Sequence, residues 1–299
     1  MKPTLLILAA GMASRYGSMK QIDGFGPNGE TIIDYSIYDA IKAGFGKVVF
    51  IIKEEFVENF KAIFEPKLKG RIETAYVFQN FDLKQFGIEE EIYREKPWGT
   101  AHAILSGRNV VKEPFCVINA DDFYGFDAYR QMVSFLTEEA TDSNYSIIGY
   151  QLGKTLSDFG SVSRGVCKVD ESGNLEEIIE RTKIYQKDGA IVYEEDEKQY
   201  PLAFETPVSM NFWGFTPAVF KITEDLFRVF ALENKDKPKA EFFIPLIGEN
   251  LVKSSTATFK VVPTANQWFG VTYKEDKPFV QASIDKLIKD KMYPEKLWS

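Results

Sequence analysis

The chain contains one histidine, His102, among 299 residues, and only two cysteines, Cys116 and Cys167. A single imidazole excludes a multi-histidine metal centre. The cysteines lack CxxC spacing; Cys116 lies between Phe115 and Val117 and Cys167 follows Val166, which argues against a disulfide scaffold or zinc site. They are expected as buried thiols in a reducing compartment, the cytoplasm. Positive charge is also short: 36 Lys and Arg against 44 Asp and Glu give a net charge of −8. That balance excludes a general nucleic-acid binder, so any basic site must be local. The first apolar run stops at Gly11, too short for a spanning helix, and has no signal-peptide cleavage region, so no membrane role is expected. Internal repeats, low-complexity tracts and Pro-rich linkers are absent, and residues 1–299 are expected to form a single domain.

What the chain does have is alternation. Short apolar runs, "TLLILAA", "KVVFII", "TAYVF" and "FCVINA", read as strands, with helical patterns at 31–44 and 99–109 between them. Strands separated by helices predict an α/β fold with a doubly wound, mostly parallel sheet, whose strand C-termini build the site. From residue 146 the character changes to "SIIGYQL", "GVCKVD", "NLEEIIE", "AIVYEE" and "VSMNFWGF", with a turn at 171–174, which predicts antiparallel strands added at the sheet edge. Residues 276–297 read as an amphipathic helix, a packing surface or one for a homo-oligomer.

The stretch "LILAAGMASRYGSMKQ", 5–20, begins as a buried strand and continues with small residues and two cations, Arg15 and Lys20. Small residues after a strand let the backbone approach a ligand, and turn N–H groups can cradle phosphate oxygens. Arg offers a planar fork for two such oxygens, and Lys a compact ammonium. The alternative is a tight turn with solvated cations. The series matches neither the P-loop nor the dinucleotide fingerprint.

The stretch resembles the signature of the sugar-phosphate nucleotidyltransferases, L-A-A-G-x-G-x-R followed by (P)-K, through Leu8, Ala9, Ala10, Gly11, Arg15 and Lys20, with Ala13 at the second glycine and Met19 at the proline. The resemblance implies a Rossmann-like nucleotidyltransferase fold whose loop wraps a triphosphate, with Arg15 on the outer phosphates and Lys20 at the α-phosphate. Further segments follow in order. "KPWGTAHAI", 96–104, is similar to P-x-G-T-A-x-A, implying nucleotide contacts from Gly99 and Thr100, although Thr100 could equally cap a helix. Arg94 stands where the family often has a base-reading Gln, and Gln79 is the substitute candidate, with 80–95 as an inserted loop. In "FCVINADDFYG", Asp121 aligns with the family's metal-binding Asp, implying Mg²⁺, while Asp122 either assists through water or forms the turn.

"FGSVSRGVCKVDESGNLEEIIERTKI", 159–184, resembles Y-G-V-V-x-x-D-x-x-G-x-V-x-x-I-x-E-K-P with an insertion near 163–165. It implies acceptor binding by Glu180, Arg181 and Lys183, and "VSMNFWGFTPAVF" adds Asn211; without the resemblance the hairpin reads as a charged rim. Glu241 is a further candidate. "NQWFGVTYKED" departs from the family's W-x-D-x-G-T: Gly270 takes the place of a second metal carboxylate, and Asp276 is an uncertain substitute.

The resemblance therefore implies nucleotidyl transfer from a nucleoside triphosphate, UTP or dTTP preferred, to a sugar 1-phosphate. Residues to about 150 would bind the nucleotide, about 151–275 the acceptor, and 276–299 would end the chain as a helix. Two alternatives stay open: cytidylyl or other nucleotidyl transfer to a non-sugar alcohol phosphate, and an impaired nucleotide-binding regulatory subunit.

Overall fold

A computed structural model describes residues 1–11, 24–271 and 273–299. Its centre is a parallel block made of β1 (Thr4–Leu8), β2 (Lys47–Ile52), β3 (Glu73–Phe78) and β4 (Phe115–Asn119). The order is β4-β1-β2-β3, with Leu8 opposite both Ile51 and Asn119, so these strands end level. Leu5, Leu6 and Ile7 are fully buried, as a strand with helices on both faces requires. Helices lie between the strands, α1 (Ile32–Ala43) and α3 (Thr100–Leu105) where the sequence placed them, and α2 (Val57–Leu68), which it did not.

Local chemistry sets the boundaries. The Thr31 N–H donates to Asp34 Oδ2 at 2.8 Å, part of a capping box that starts α1. Gly44, at φ +111°, ends it by donating to Ala40 and Ile41 carbonyls. The helix expected over 99–109 stops at Leu105, because Ser106 and Gly107 tighten into turns that bond back to Ala103 and Ile104.

Beyond the block the sheet becomes antiparallel. A short β5 (Asp122–Phe123) and α4 (Phe126–Glu138) lead to β6 (Asn144–Gln151), β7 (Val162–Val169), β8 (Leu175–Lys187), β9 (Ala190–Glu195), β10 (Lys198–Leu202) and β11 (Pro207–Phe215). β11 joins the halves, pairing with β4 at its end and with β7 nearer its start. The resulting eleven-stranded mixed sheet runs β10-β9-β8-β7-β11-β4-β1-β2-β3, with β6 beside β11. β12 (Thr258–Pro263), which the sequence reading missed, adds a parallel edge to β6. The fold is thus the α/β architecture expected, with its added antiparallel strands.

Two cores cover the faces. Ile33, Phe60, Phe64 and Met132, from α1, α2 and α4, fill one. Ala101, Phe227 and Ile247 fill the other, from α3, α5 (Val219–Glu233) and α6 (Ile244–Lys253). Cys116 and Cys167 are buried, unpaired thiols. A third cluster packs α7 (Lys277–Lys289) through Val280 and Ile284 against Tyr35, Phe123 and Phe269. Among the described residues no helix is long and apolar enough to cross a membrane.

Candidate active site

The strand ends set out the candidate residues in spatial order. Gln79 follows β3, Ala9, Ala10 and Gly11 follow β1, and Asp121 follows β4. Arg15 and Lys20, with Ala13 and Met19, lie outside the described residues. Ala9 is 2% exposed and donates its N–H to Ile51 O. A Cβ on Gly11 would meet nothing within 4 Å among the described residues.

Next to β4 lies a cavity of about 380 Å³, lined by Asn119, Asp121, Asp122, Glu180, Asn211 and Trp268 among others. The six named residues come from four separated segments. Asp122 is buried, its Oδ2 accepting from Asn119 Nδ2 at 2.9 Å and from the Tyr124 hydroxyl at 3.3 Å. Burial and then the Asp121 charge raise its pKa, which the Asn119 bond and Arg164 partly offset. Glu180 is likewise raised by burial, with Arg164 opposing. Asn211 occupies the left-handed region at φ +62° where the β6 pairing shifts register. Its Nδ2 lies 3.5 Å from Asn119 Oδ1.

Arg164 is the residue that the sequence reading missed. It is 6% exposed, donates from Nε to Thr155 Oγ1 at 3.2 Å and from Nη2 to Thr155 O, and lies over the Trp268 ring at 4.8 Å. Burial lowers its pKa to about 10, which leaves it cationic at neutral pH. Gly165 stands opposite Glu180 on β8 and opposite Ser209 on β11. Counting back from Asp170 puts the glycine of the Y-G-V-V pattern at Gly165 and its tyrosine at Arg164. The insertion assigned to 163–165 is therefore unnecessary, and that count was the missed signal.

Other candidates are engaged elsewhere. Arg181 pairs with Glu195 at 2.6 Å and lies over Tyr193, and Lys183 pairs with Glu194 at 3.1 Å. Neither lines the cavity, because opposite charges on β9 draw both cations onto that hairpin. Glu241 pairs with Lys96 at 3.1 Å. Asp276 accepts from Ser157 and from Tyr273 N–H, an arrangement that holds a turn. Arg94 lies 3.9 Å over Trp98 and donates to the Lys237 and Ala240 carbonyls. Gly99, at φ +104°, faces Phe242, and Thr100 Oγ1 accepts from Ile244 N–H at 3.2 Å. Docking on 242–244 accounts for both residue types without a ligand.

A second cavity, of about 800 Å³, opens on the β3 side and is lined by Gln79, Phe81, Phe86, His102 and Arg108 among others. His102 is 1% exposed, and burial, then Arg108 and Arg94, lower its pKa to about 3. At neutral pH the imidazole is therefore uncharged, packed against Phe227 and Phe86.

Mg²⁺ binds hard oxygens, often one or two carboxylates completed by water and substrate phosphate rather than an all-protein cage. Asp121 and Asp122 on one cavity fit that donor set, and no group of three or more metal-ligating side chains assembles among the described residues.

The profile of the Nucleotidyl transferase family matches residues 6–269, and the chain belongs to that family of enzymes. No curated protein matches it significantly. Among solved structures, it is similar to a UDP-glucose pyrophosphorylase complexed with UDP-glucose, with 18% identity over 96% of this chain and 99% of that one and a TM-score of 0.58. It is also similar to the inositol-1-phosphate CTP transferase of T. maritima, at 13% identity over 95% and 97% of the two chains and a TM-score of 0.58. At these identities the likeness is one of fold.

Proposed function

We propose that the chain transfers a nucleotidyl group from a nucleoside triphosphate, UTP or dTTP preferred, to a sugar 1-phosphate, releasing pyrophosphate. The observation that carries the reading is one cavity where Asp121, Glu180 and Asn211, chosen from distant stretches of sequence, meet beside the strand end that bears Ala9–Gly11. In this reading about 1–150 holds the nucleotide and about 151–275 the acceptor.

The acceptor phosphate is already anionic at neutral pH and needs no strong general base, so positioning and charge neutralisation dominate. Glu180 and Asn211 would hold acceptor hydroxyls, and Gln79 the base. Arg15 would bind the outer phosphates and Lys20 would offset charge developing at the α-phosphate. Asp121, with Asp122 beside it, would hold Mg²⁺. When bound, that ion would polarise the α-phosphate and orient pyrophosphate.

The test is pyrophosphate release with Mg²⁺ across a matrix of nucleoside triphosphates against sugar 1-phosphates and alcohol phosphates. Release that requires one triphosphate and one sugar 1-phosphate is expected, with kcat at least ~100-fold lower in Lys20→Ala and Asp121→Ala. Dependence on an alcohol phosphate and CTP would replace the sugar assignment. Tight triphosphate binding without release from any pair would move the regulatory reading ahead.

A further inference from the structure

Asp122 and Gly270 face each other across a short antiparallel bridge between β5 and β13 (Phe269–Gly270). A Cβ built on Gly270 would stand 2.6 Å from Asp122 Oδ1 and 3.1 Å from Asp121 O, and the first distance is closer than real side chains come. Gly270 does not have a positive φ, so its backbone conformation does not demand glycine. The neighbouring carboxylate does.

That carboxylate is only half satisfied. Asp122 is 9% exposed and both of its hydrogen bonds, from Asn119 and Tyr124, fall on Oδ2. Oδ1, set over Gly270, accepts none among the described residues. Arg164 contributes positive charge nearby, but its N–H groups go to Thr155 and Ser163. Oδ1 is left open to the cavity with no donor among the described residues filling it, and Asp121 on the same cavity adds repulsion between the two carboxylates. A hard divalent cation shared by the two aspartates would answer both.

We propose that Asp122 is the second carboxylate of the divalent-cation site, beside Asp121, and that Gly270 is glycine to make room for it. The inference rests on the nucleotidyl-transfer reading and removes its main difficulty. In the pattern that the chain resembles, a carboxylate stands at the position of Gly270. Here it has crossed to the partner strand of the bridge while keeping nearly the same place in space.

The exchange can be reversed by mutation. The probe is Mn²⁺ with pyrophosphate, which is independent of the nucleobase, and bound Mn²⁺ is read by electron paramagnetic resonance on the full chain. Asp122→Asn, nearly isosteric and able to keep its Oδ contacts with Tyr124, is expected to weaken Mn²⁺ binding at least ~10-fold. Gly270→Asp alone is expected to weaken it too, because its Cβ collides with Asp122. The double variant Asp122→Gly with Gly270→Asp moves the carboxylate back and is expected to recover binding to within about threefold of the parent chain.

Unchanged Mn²⁺ binding in Asp122→Asn overturns the inference, as does a double variant that melts like the parent but does not recover. Pyrophosphate release in the substrate matrix judges the transferase reading separately. Release together with indifferent Mn²⁺ binding in Asp122→Asn sinks only the metal assignment. Asp122-dependent Mn²⁺ binding with no release from any pair sinks only the transferase reading.

Discussion

His102 Nδ1 lies 3.3 Å from Gln79 Nε2, so the residue expected to read the base is tied to the only histidine in the chain. The imidazole also sits 4.6 Å from Phe227 and stacks with Phe81 at 6.2 Å, ring centre to ring centre. Because burial holds its pKa near 3, against 6.5 when free, the unfolded chain takes up a proton at this residue below pH 6.5 that the folded chain refuses. The stability linked to His102 is therefore present above pH 6.5 and lost as pH falls toward 3. Relative to His102→Gln, the parent chain should lose roughly 2 kcal/mol between pH 6.5 and 5, at about 1.4 kcal/mol per pH unit. Urea denaturation at the two pH values checks it; a constant difference would show that the ring titrates normally.

Asp39 carries the opposite sign. It is 1% exposed, accepts from the Tyr293 hydroxyl at 2.6 Å, and burial raises its pKa to about 7 despite that bond. The folded chain therefore binds a proton here that the unfolded chain has released, and the linked stability is full below about pH 4 and lost as pH rises through 7. Against Asp39→Asn, the advantage of the parent chain should shrink by up to about 4 kcal/mol from pH 4 to 7. Between pH 4 and 6.5 this trend opposes that of His102, so the two variants should diverge even where the stability of the parent chain is flat. Parallel profiles would contradict both assignments.

The parallel block was legible because β1, β2 and β4 are nearly continuous apolar runs and α1 carries a capping box and a terminal glycine, signals that lie within each segment. β12 was not, since "TFKVVP" is short and gains its strand identity only by pairing with β6 more than a hundred residues away. Of the site residues chosen from motif spacing, Asp121, Glu180 and Asn211 share one cavity. Arg181 and Lys183 stand outside it, because their partners, Glu195 and Glu194, arrive only with the β8–β9 pairing. Arg164 was hidden behind a misplaced gap, and the room at Gly270 is a property of two strands that neither segment reveals alone.

Gly99 has no room for a side chain. At φ +104° its absent Cβ would lie 2.6 Å from Phe242 O and 2.8 Å from Phe242 N, against a backbone that cannot swing aside. Gly99→Ala should cost on the order of 2–3 kcal/mol, combining left-handed strain with overpacking. Thermal melts of Gly99→Ala against the parent chain check it, and an unchanged melting temperature would refute the packing argument.

Asn211 permits backbone and side-chain roles to be measured apart. Its φ of +62° belongs to the left-handed region, where asparagine and glycine are tolerated and alanine costs about 1 kcal/mol or more. Asn211→Ala should therefore destabilise the fold, whereas Asn211→Gly should leave it near the parent value. Both remove the amide that reaches the cavity, so both should raise the acceptor KM by up to roughly tenfold, the worth of one neutral hydrogen bond, with the triphosphate KM unchanged. Glu180→Gln, which removes a charged acceptor, should raise the acceptor KM further, by about 10- to 100-fold. A normal acceptor KM in Asn211→Gly would confine Asn211 to holding the β11 irregularity, and a rise in triphosphate KM in Glu180→Gln would place that carboxylate on the nucleotide instead.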